Sequence, residues 1–225
     1  MTTEAPTTLV EQVCADIRAD ILAGRRPPGT RLVLAPLVEE YRSSMGVIRE
    51  ALSRLVSQGL VVVEAQHGFR VISISIEDLE HLTEARSLIE VMVLRESISH
   101  GGVAWESRLV AAHHTMTRMP QVLPDDPKRF DEDWVIAHAA FHEALLSGCT
   151  NPRLIAAAST LRDSAELYRR WSMPLDQQRD VAGEHRQLLE AALAGSHDDA
   201  ARLLEEHIRH TSRVLIEHPT QAPRK

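Results

Sequence analysis

Residues 60–74 read LVVVEAQHGFRVISI. Two β-branched runs, Val61–Val63 and Val71–Ile74, flank a polar tip containing His67-Gly68, the pattern of a β-hairpin. Upstream the apolar period is helical instead. Thr8 to Glu11 has capping-box form and opens a stripe of Val10, Val13, Ile17, Ile21 and Leu22, closed by Gly24 and the turn RRPPGT. A second short helix is expected over 35–41. A third, over 46–58, aligns Ile48, Leu52 and Leu55 and is stopped by Gly59. Helix, helix, helix, hairpin within residues 1–75 is the plan of a winged helix-turn-helix domain.

Beyond residue 75 the strand pattern disappears. Ser75 to Asp78 repeats the capping-box spacing and starts a helix expected to run to Gly101. Further helices are expected near 104–118, 128–147, 152–172, 177–194 and 198–217, with Pro124, Pro127, Pro152, Pro174 and Gly195 at their borders. The fold class is therefore mainly α. A winged helix-turn-helix over 1–75 is followed by an all-α helical bundle over 76–218 and a flexible tail over 219–225.

A chain of 225 residues with 44% hydrophobic and 25% charged residues can bury a core in each part. No apolar run approaches the roughly 18–20 residues that span a bilayer, and the acidic start MTTEAPTTLVEQ lacks a signal pattern. A cytoplasmic protein is expected, without membrane partners. Cys14 and Cys149 are too few for a disulfide framework and read as small buried hydrophobes.

The net charge of −7 argues against nucleic acid until its distribution is considered. Residues 1–76 balance 8 arginines against 8 acids, so 77–225 carry the whole excess. Between Gly24 and Arg54 six arginines face three acids, a local basic surface compatible with a phosphate backbone. In a helix-turn-helix the second helix enters the major groove by its N-terminal residues. Here that entry is Arg42-Ser43-Ser44-Met45-Gly46-Val47-Ile48-Arg49. Ser44 can cap the helix or donate to phosphate, Gly46 allows close approach, and Arg49 can reach phosphate or a guanine edge. A merely solvated arginine face is the alternative.

The run from Pro27 to Val71 resembles the N-terminal domain of the GntR family of bacterial transcription regulators. The resemblance rests on Pro28-Gly29, the Val-Ile-Arg-Glu-Ala-Leu run at 47–52, Leu55, Gly59-Leu60 and His67-Gly68. It implies double-stranded operator DNA as a partner, contacted through Arg31, Arg42, Ser44, Met45, Gly46, Arg49, His67, Gly68 and Arg70, with His67 and Gly68 pressing a wing into the minor groove. One departure stands out. Family members carry a Gly-Val-Ser-Arg-Thr-Pro-like entry, so Arg42 stands where glycine is usual and Met45 where an arginine commonly reads a base.

Residues 138–146 read HAAFHEALL. His138 and His142 are four apart, so on a helix they share a face and can chelate one ion. A core histidine or a surface pair is the blander reading of that spacing. His185 and His207 also sit among apolar neighbours. The helical half resembles the FCD ligand-binding domain of the FadR-like branch, through Glu84 to Glu90 (EARSLIE), Phe141-His142 with Asn151 nine residues on, Glu184-His185-Arg186, and His207. In that family an aspartate four before the Phe-His histidine, that histidine and two later ones commonly hold a metal. The resemblance implies His142, His185 and His207 as ligands, and places His138 where the aspartate would be. Imidazole can replace carboxylate, giving four nitrogens and one less negative charge. Zinc is the first expectation for this divalent site, with nickel, cobalt or copper as alternatives.

A small carboxylate beside the metal is the expected effector. Arg86 could pair with it bidentately or could instead pair with Glu90 one turn on; Arg162, Tyr168 and Arg169 are further pocket candidates. The reading is a non-enzymatic, ligand-responsive regulator, by resemblance a repressor, and a homodimer because paired half-sites need two recognition helices. Two alternatives remain: a metal-dependent hydrolase, disfavoured because Ala139, Ala140 and Phe141 leave no general base between the histidines, and a regulator whose metal is purely structural.

Overall fold

The computed structural model describes residues 8–22, 25–64, 68–73, 75–172 and 179–217, apart from the side chains of 128, 129, 167, 171 and 172. The chain divides between Ser75 and Ile76 into two compact units.

The first unit opens with α1 (Leu9–Leu22), started by a reciprocal cap in which Thr8 N donates to Glu11 Oε2 (2.7 Å) and Glu11 N to Thr8 Oγ1 (3.2 Å). Strand β1 (Arg31–Leu32), helices α2 (Leu34–Glu40) and α3 (Met45–Ser57), and strands β2 (Val61–Glu64) and β3 (Gly68–Val71) follow. The strands form one antiparallel sheet in the order β1-β3-β2, with Arg31 opposite Arg70 and Val61 opposite Val71. Helix α1 packs on α3. Ile17, Ile21, Leu37, Ile48, Leu52, Leu55 and Leu60 are buried at their meeting, each side chain contributing about 1.5–3 kcal/mol of transfer free energy.

Two sequence expectations change here. The second hairpin strand is Gly68–Val71 rather than 71–74, because the alternation of inward Phe69 and Val71 with outward Arg70 sets the ladder. Strand β1 is two residues long, too short to leave a pattern. His67 lies outside the described residues, as do Gly24, Ile74, Pro174 and the 219–225 tail.

The second unit begins with the 25-residue α4 (Ile76–His100), followed by α5 (Val103–Thr117), the short pair β4 (Val122–Leu123) and β5 (Asp126–Phe130), then α6 (Glu132–Leu146), α7 (Pro152–Ser172), α8 (Val181–Leu193) and α9 (His197–Glu217). Helix α4 packs along α9, α7 and α6, while α5 packs on α6 and α8. Their core includes Leu94, Leu109, Phe141, Leu145, Leu188 and Leu204. The β4–β5 ladder corrects the expectation of helices alone. It occupies 126–130, where the sixth helix was expected to begin, and α6 starts later because Asp131 caps it, accepting from the Asp133 and Trp134 amides (2.9 and 3.3 Å).

Candidate metal centre and DNA-facing surface

Helix α6 turns Trp134, His138, Phe141, His142 and Leu145 inward along one stripe. His185 projects from the second turn of α8. Asp180 caps that helix by accepting from Gly183 N (2.9 Å), and a Cβ at 183 would stand 2.1 Å from the Asp180 carboxylate, so glycine is required for the cap to close. His207 comes from the middle of α9, beside buried Leu204 and Ile208.

The histidines at 138, 142, 185 and 207 meet. One ring nitrogen from each lies within 4.8 Å of the other three. His142 Nε2 and His185 Nε2 are 3.2 Å apart. With metal–nitrogen bonds of about 2.0–2.1 Å, neighbouring donors around one ion stand roughly 3–3.4 Å apart and opposite ones about 4.2 Å. The cluster has the right size, needing only a small contraction.

Burial drives all four imidazoles toward the neutral form. For His138 and His142 it is the main cause of a pKa far below the ordinary value, reinforced by the neighbouring rings and by Arg169 and Arg162 respectively. His207 is lowered in the same way, with His185 and Arg179 adding to burial. His185 falls to about 4, burial outweighing the opposing charge of Glu184. Neutral rings keep the lone pairs a metal requires.

Glu184 and Arg179 orient His207. Its Nδ1 lies 2.7 Å from Glu184 Oε2, which Arg179 also binds (2.7 Å) while donating to the His207 carbonyl (3.1 Å). Arg179 Nη2 also stands 3.2 Å from that Nδ1; with the proton on Nδ1 toward the closer Glu184 carboxylate, Nε2 is left as the lone-pair donor, the arrangement typical of ligand histidines. Buried His185 Nδ1 has no hydrogen-bond partner of good geometry. Four buried imidazoles turned toward one point, one of them with a buried nitrogen left unpartnered, have the makings of a cation site. The donor set matches a divalent ion held by four nitrogens.

The cavity beside the cluster is lined by Phe130, Trp134, His138, Arg169, Arg179 and His207 among others. Trp134 stacks on His138 and on Phe130, with ring centroids 4.8 and 5.3 Å apart, and the Arg169 guanidinium lies 4.3 Å from the Phe130 centroid. Of the four expected effector residues, Arg169 lines this cavity. Arg86 is engaged by Glu90 (2.6 Å), which is fully buried, although its charge still bears on His142 and His207. Arg162 bears on His142. Tyr168 instead donates to Asp78 on α4 (2.7 Å). Arg179 was not singled out from the sequence, and Glu184 stood only within the matched Glu184-His185-Arg186 run without a role of its own: their roles depend on α8 lying against α9, which residue spacing does not show.

On the first unit, Ser44 caps α3 by accepting from Val47 N (3.3 Å). Arg42, Met45, Gly46 and Arg49 are exposed around that end. Arg42 has φ 48°, the one non-glycine residue with positive φ among those described. It terminates α2 in a Schellman turn closed by Ser43 N to Val38 O (3.1 Å). Arg26 donates to the Tyr41 hydroxyl (3.2 Å), which itself donates to Asp20 on α1, fixing the residue before the turn. Gly68 opens β3 with φ 83°. Arg70 is turned back onto Glu64 (2.6 Å) and the Gly29 carbonyl (2.5 Å), and Arg31 is its ladder partner.

Known proteins give the same division. Residues 9–71 match the family described as bacterial regulatory proteins, gntR family, and residues 81–210 match the FCD domain. The HTH-type transcriptional regulator BphR of Paraburkholderia xenovorans (strain LB400) is 35% identical over 92% of this chain and 85% of its own length. The HTH-type transcriptional repressor GlaR of Escherichia coli (strain K12) is 31% identical over 85% of this chain and 89% of its own. Among solved structures, E. coli McbR/YncC aligns with a TM-score of 0.76 at 21% identity, covering 94% of this chain and 99% of that one, a likeness of fold. These relatives are transcription regulators, not enzymes. Among the described residues no helix is long and apolar enough to cross a membrane.

Proposed function

The chain belongs to the GntR family of bacterial regulatory proteins and carries an FCD domain; from that premise we propose that it is a metal-containing, carboxylate-responsive repressor acting as a homodimer. As a regulator of this family it binds operator DNA through the winged helix-turn-helix and a small-molecule effector through the helical unit. The observation that carries the finer reading is the convergence of His138, His142, His185 and His207 on one point. These four would hold the ion, zinc first, with Glu184 fixing the tautomer of His207. A bound divalent ion supplies a positive centre that a carboxylate oxygen can approach.

Charge explains why the effector is an anion. Arg169, Arg162, Arg86 and Arg179 all press positive potential onto the histidines. Arg162 has no carboxylate partner among the described residues, and with histidine in place of a carboxylate at 138 no ligand neutralises the metal. Such a site favours a small carboxylate over a neutral metabolite. Repression is supported by GlaR, a repressor by name. The sensing step follows linkage: a ligand changes DNA affinity only by its preference between two arrangements of the helical unit.

On the DNA side, Arg42, Ser44, Met45, Gly46 and Arg49 would meet the major groove, with Arg31, His67, Gly68 and Arg70 at the wing. Arg49 carries the base or phosphate contact, and Met45 offers an apolar surface suited to a thymine methyl. The test is fluorescence anisotropy of the metal-loaded protein on a DNA fragment selected from the genome, titrated with a panel of small carboxylates. Release of DNA by one of them, and its failure to act on the His185→Ala variant, is expected. Release that is equal in both would separate the ligand from the histidine cluster.

A further inference from the structure

The cavity beside the four histidines is narrow, about 460 Å³ in extent, and one part of its lining is aromatic. The chain has only three phenylalanines, three tryptophans and two tyrosines in 225 residues, yet Phe130 and Trp134 both line this space. With His138 they form a ladder: Trp134 lies 10° from parallel to Phe130 and 23° from parallel to His138. At the outer end the flat guanidinium of Arg169 lies over Phe130, so the ladder already stacks a planar group. Val181 of α8 and Val214 of α9 add further apolar lining. A second, wider recess that His207 also lines is bordered by Glu184, Gln187, Leu203, Glu206 and Arg213 and holds no aromatic ring.

We infer that the effector is an aromatic carboxylate, a flat ring seated along Phe130, Trp134 and His138 with its carboxylate toward the histidines. The inference rests on the carboxylate-responsive reading above and adds the body of the molecule to its charge.

Charge orients the acid. Four neutral imidazoles leave a bound divalent ion its full charge, so the histidine end of the cavity is where a carboxylate gains most. At the outer end the charge of Arg169 is taken up by Glu166, to which Nε and Nη2 donate (2.8 and 2.5 Å). A second carboxylate there would have to draw Arg169 away from Glu166 or be buried against Phe130, Trp134 and the two valines, which is costly. A ring at that end costs nothing of the kind. Ring-on-ring packing gains attraction beyond the area it buries. A rigid ring also gives up little internal freedom on entering a narrow slot, whereas a flexible alkyl acid of similar size must freeze several bonds. Shape and charge together therefore select a single-ring monocarboxylate over aliphatic acids and over dicarboxylates.

The test is isothermal titration calorimetry on the full-length, metal-loaded chain. The aromatic probes are benzoate, phenylacetate and cinnamate. Cyclohexanecarboxylate, hexanoate and glutarate are the aliphatic controls, and benzamide is the neutral one. The best aromatic acid is expected to bind at least tenfold tighter than any aliphatic acid and than benzamide. Trp134→Leu should bring that ratio close to one, and Trp134→Phe should keep most of it, with metal content as in wild type. Val214→Phe fills the slot from α9 and is expected to abolish binding of the aromatic acid while the metal stays. Aliphatic acids that bind as tightly as aromatic ones, or an aromatic preference that survives both Trp134→Leu and Val214→Phe, would overturn the aromatic assignment and leave the carboxylate reading standing. Benzamide binding as tightly as benzoate would instead remove the carboxylate. A metal-loaded chain that binds none of these compounds would overturn both.

Discussion

Acid should destabilise the metal-free helical unit, and His185 sets a minimum for how much. The ring is fully buried, and its pKa falls from the ordinary 6.5 to about 4. Between those values the unfolded chain takes up a proton on this residue and the folded protein does not. Stability therefore rises with pH through the window and is lost as pH falls from about 6.5 toward 4. At about 1.36 kcal/mol per pKa unit the full loss is about 3 kcal/mol, and by pH 5 about 2 kcal/mol is already gone. His138, His142 and His207 are lowered by burial as well, so the wild-type slope is at least this steep. The assay is urea unfolding of chelator-treated protein at pH 7.5 and pH 5. It is followed by tryptophan emission, which reports on the helical unit alone because Trp105, Trp134 and Trp171 all lie there. His185→Phe removes the titrating group with little change in shape. Wild type should lose about 2 kcal/mol more than this variant between the two pH values. Parallel losses would refute the claim that a neutral, desolvated imidazole is held at 185.

The DNA surface gives two further expectations. Arg49→Ala should weaken operator binding and lower the dependence of log affinity on log salt by about 0.9, one phosphate contact's share, with the melting temperature unchanged; unaltered affinity would remove Arg49 from the interface. Arg42→Gly should relieve a left-handed residue costing about 1–2 kcal/mol, of which glycine's greater freedom in the unfolded chain returns about 0.4–1. The variant is expected to be slightly more stable yet to bind DNA more weakly in a titration. A gain in stability with no change in affinity would mean that Arg42 makes no DNA contact.

The sequence made the scaffold legible where period and punctuation were strong. The α1 cap at Thr8–Glu11, the stripe of Ile48, Leu52 and Leu55, and the helix spans ending at Ser172 and Glu217 follow from local rules. Strand β5 did not, because Asp126, Pro127, Lys128 and Arg129 leave no alternation to read. Within the cluster, His138 and His142 were visible as a pair four residues apart, whereas His185 and His207 stood out only by their apolar neighbours, and the family resemblance alone joined them to that pair. Their meeting depends on α8 and α9 packing side by side, and no spacing along the chain records that. The same limit hid the contact of Tyr168 with Asp78, ninety residues away, and the hold of Glu184 on His207. Arg86 was read with two partners available, and its contact with Glu90 is the one made within the chain.

Metal analysis of the purified protein tests the four-histidine centre most directly. Protein prepared without added metal and measured by inductively coupled plasma mass spectrometry should carry one divalent ion per chain, with the His142→Ala variant near zero and an unchanged helix signal in circular dichroism. A folded wild type that takes up no ion when offered zinc, or a His142→Ala chain that keeps its full complement, would contradict a centre built from these four rings.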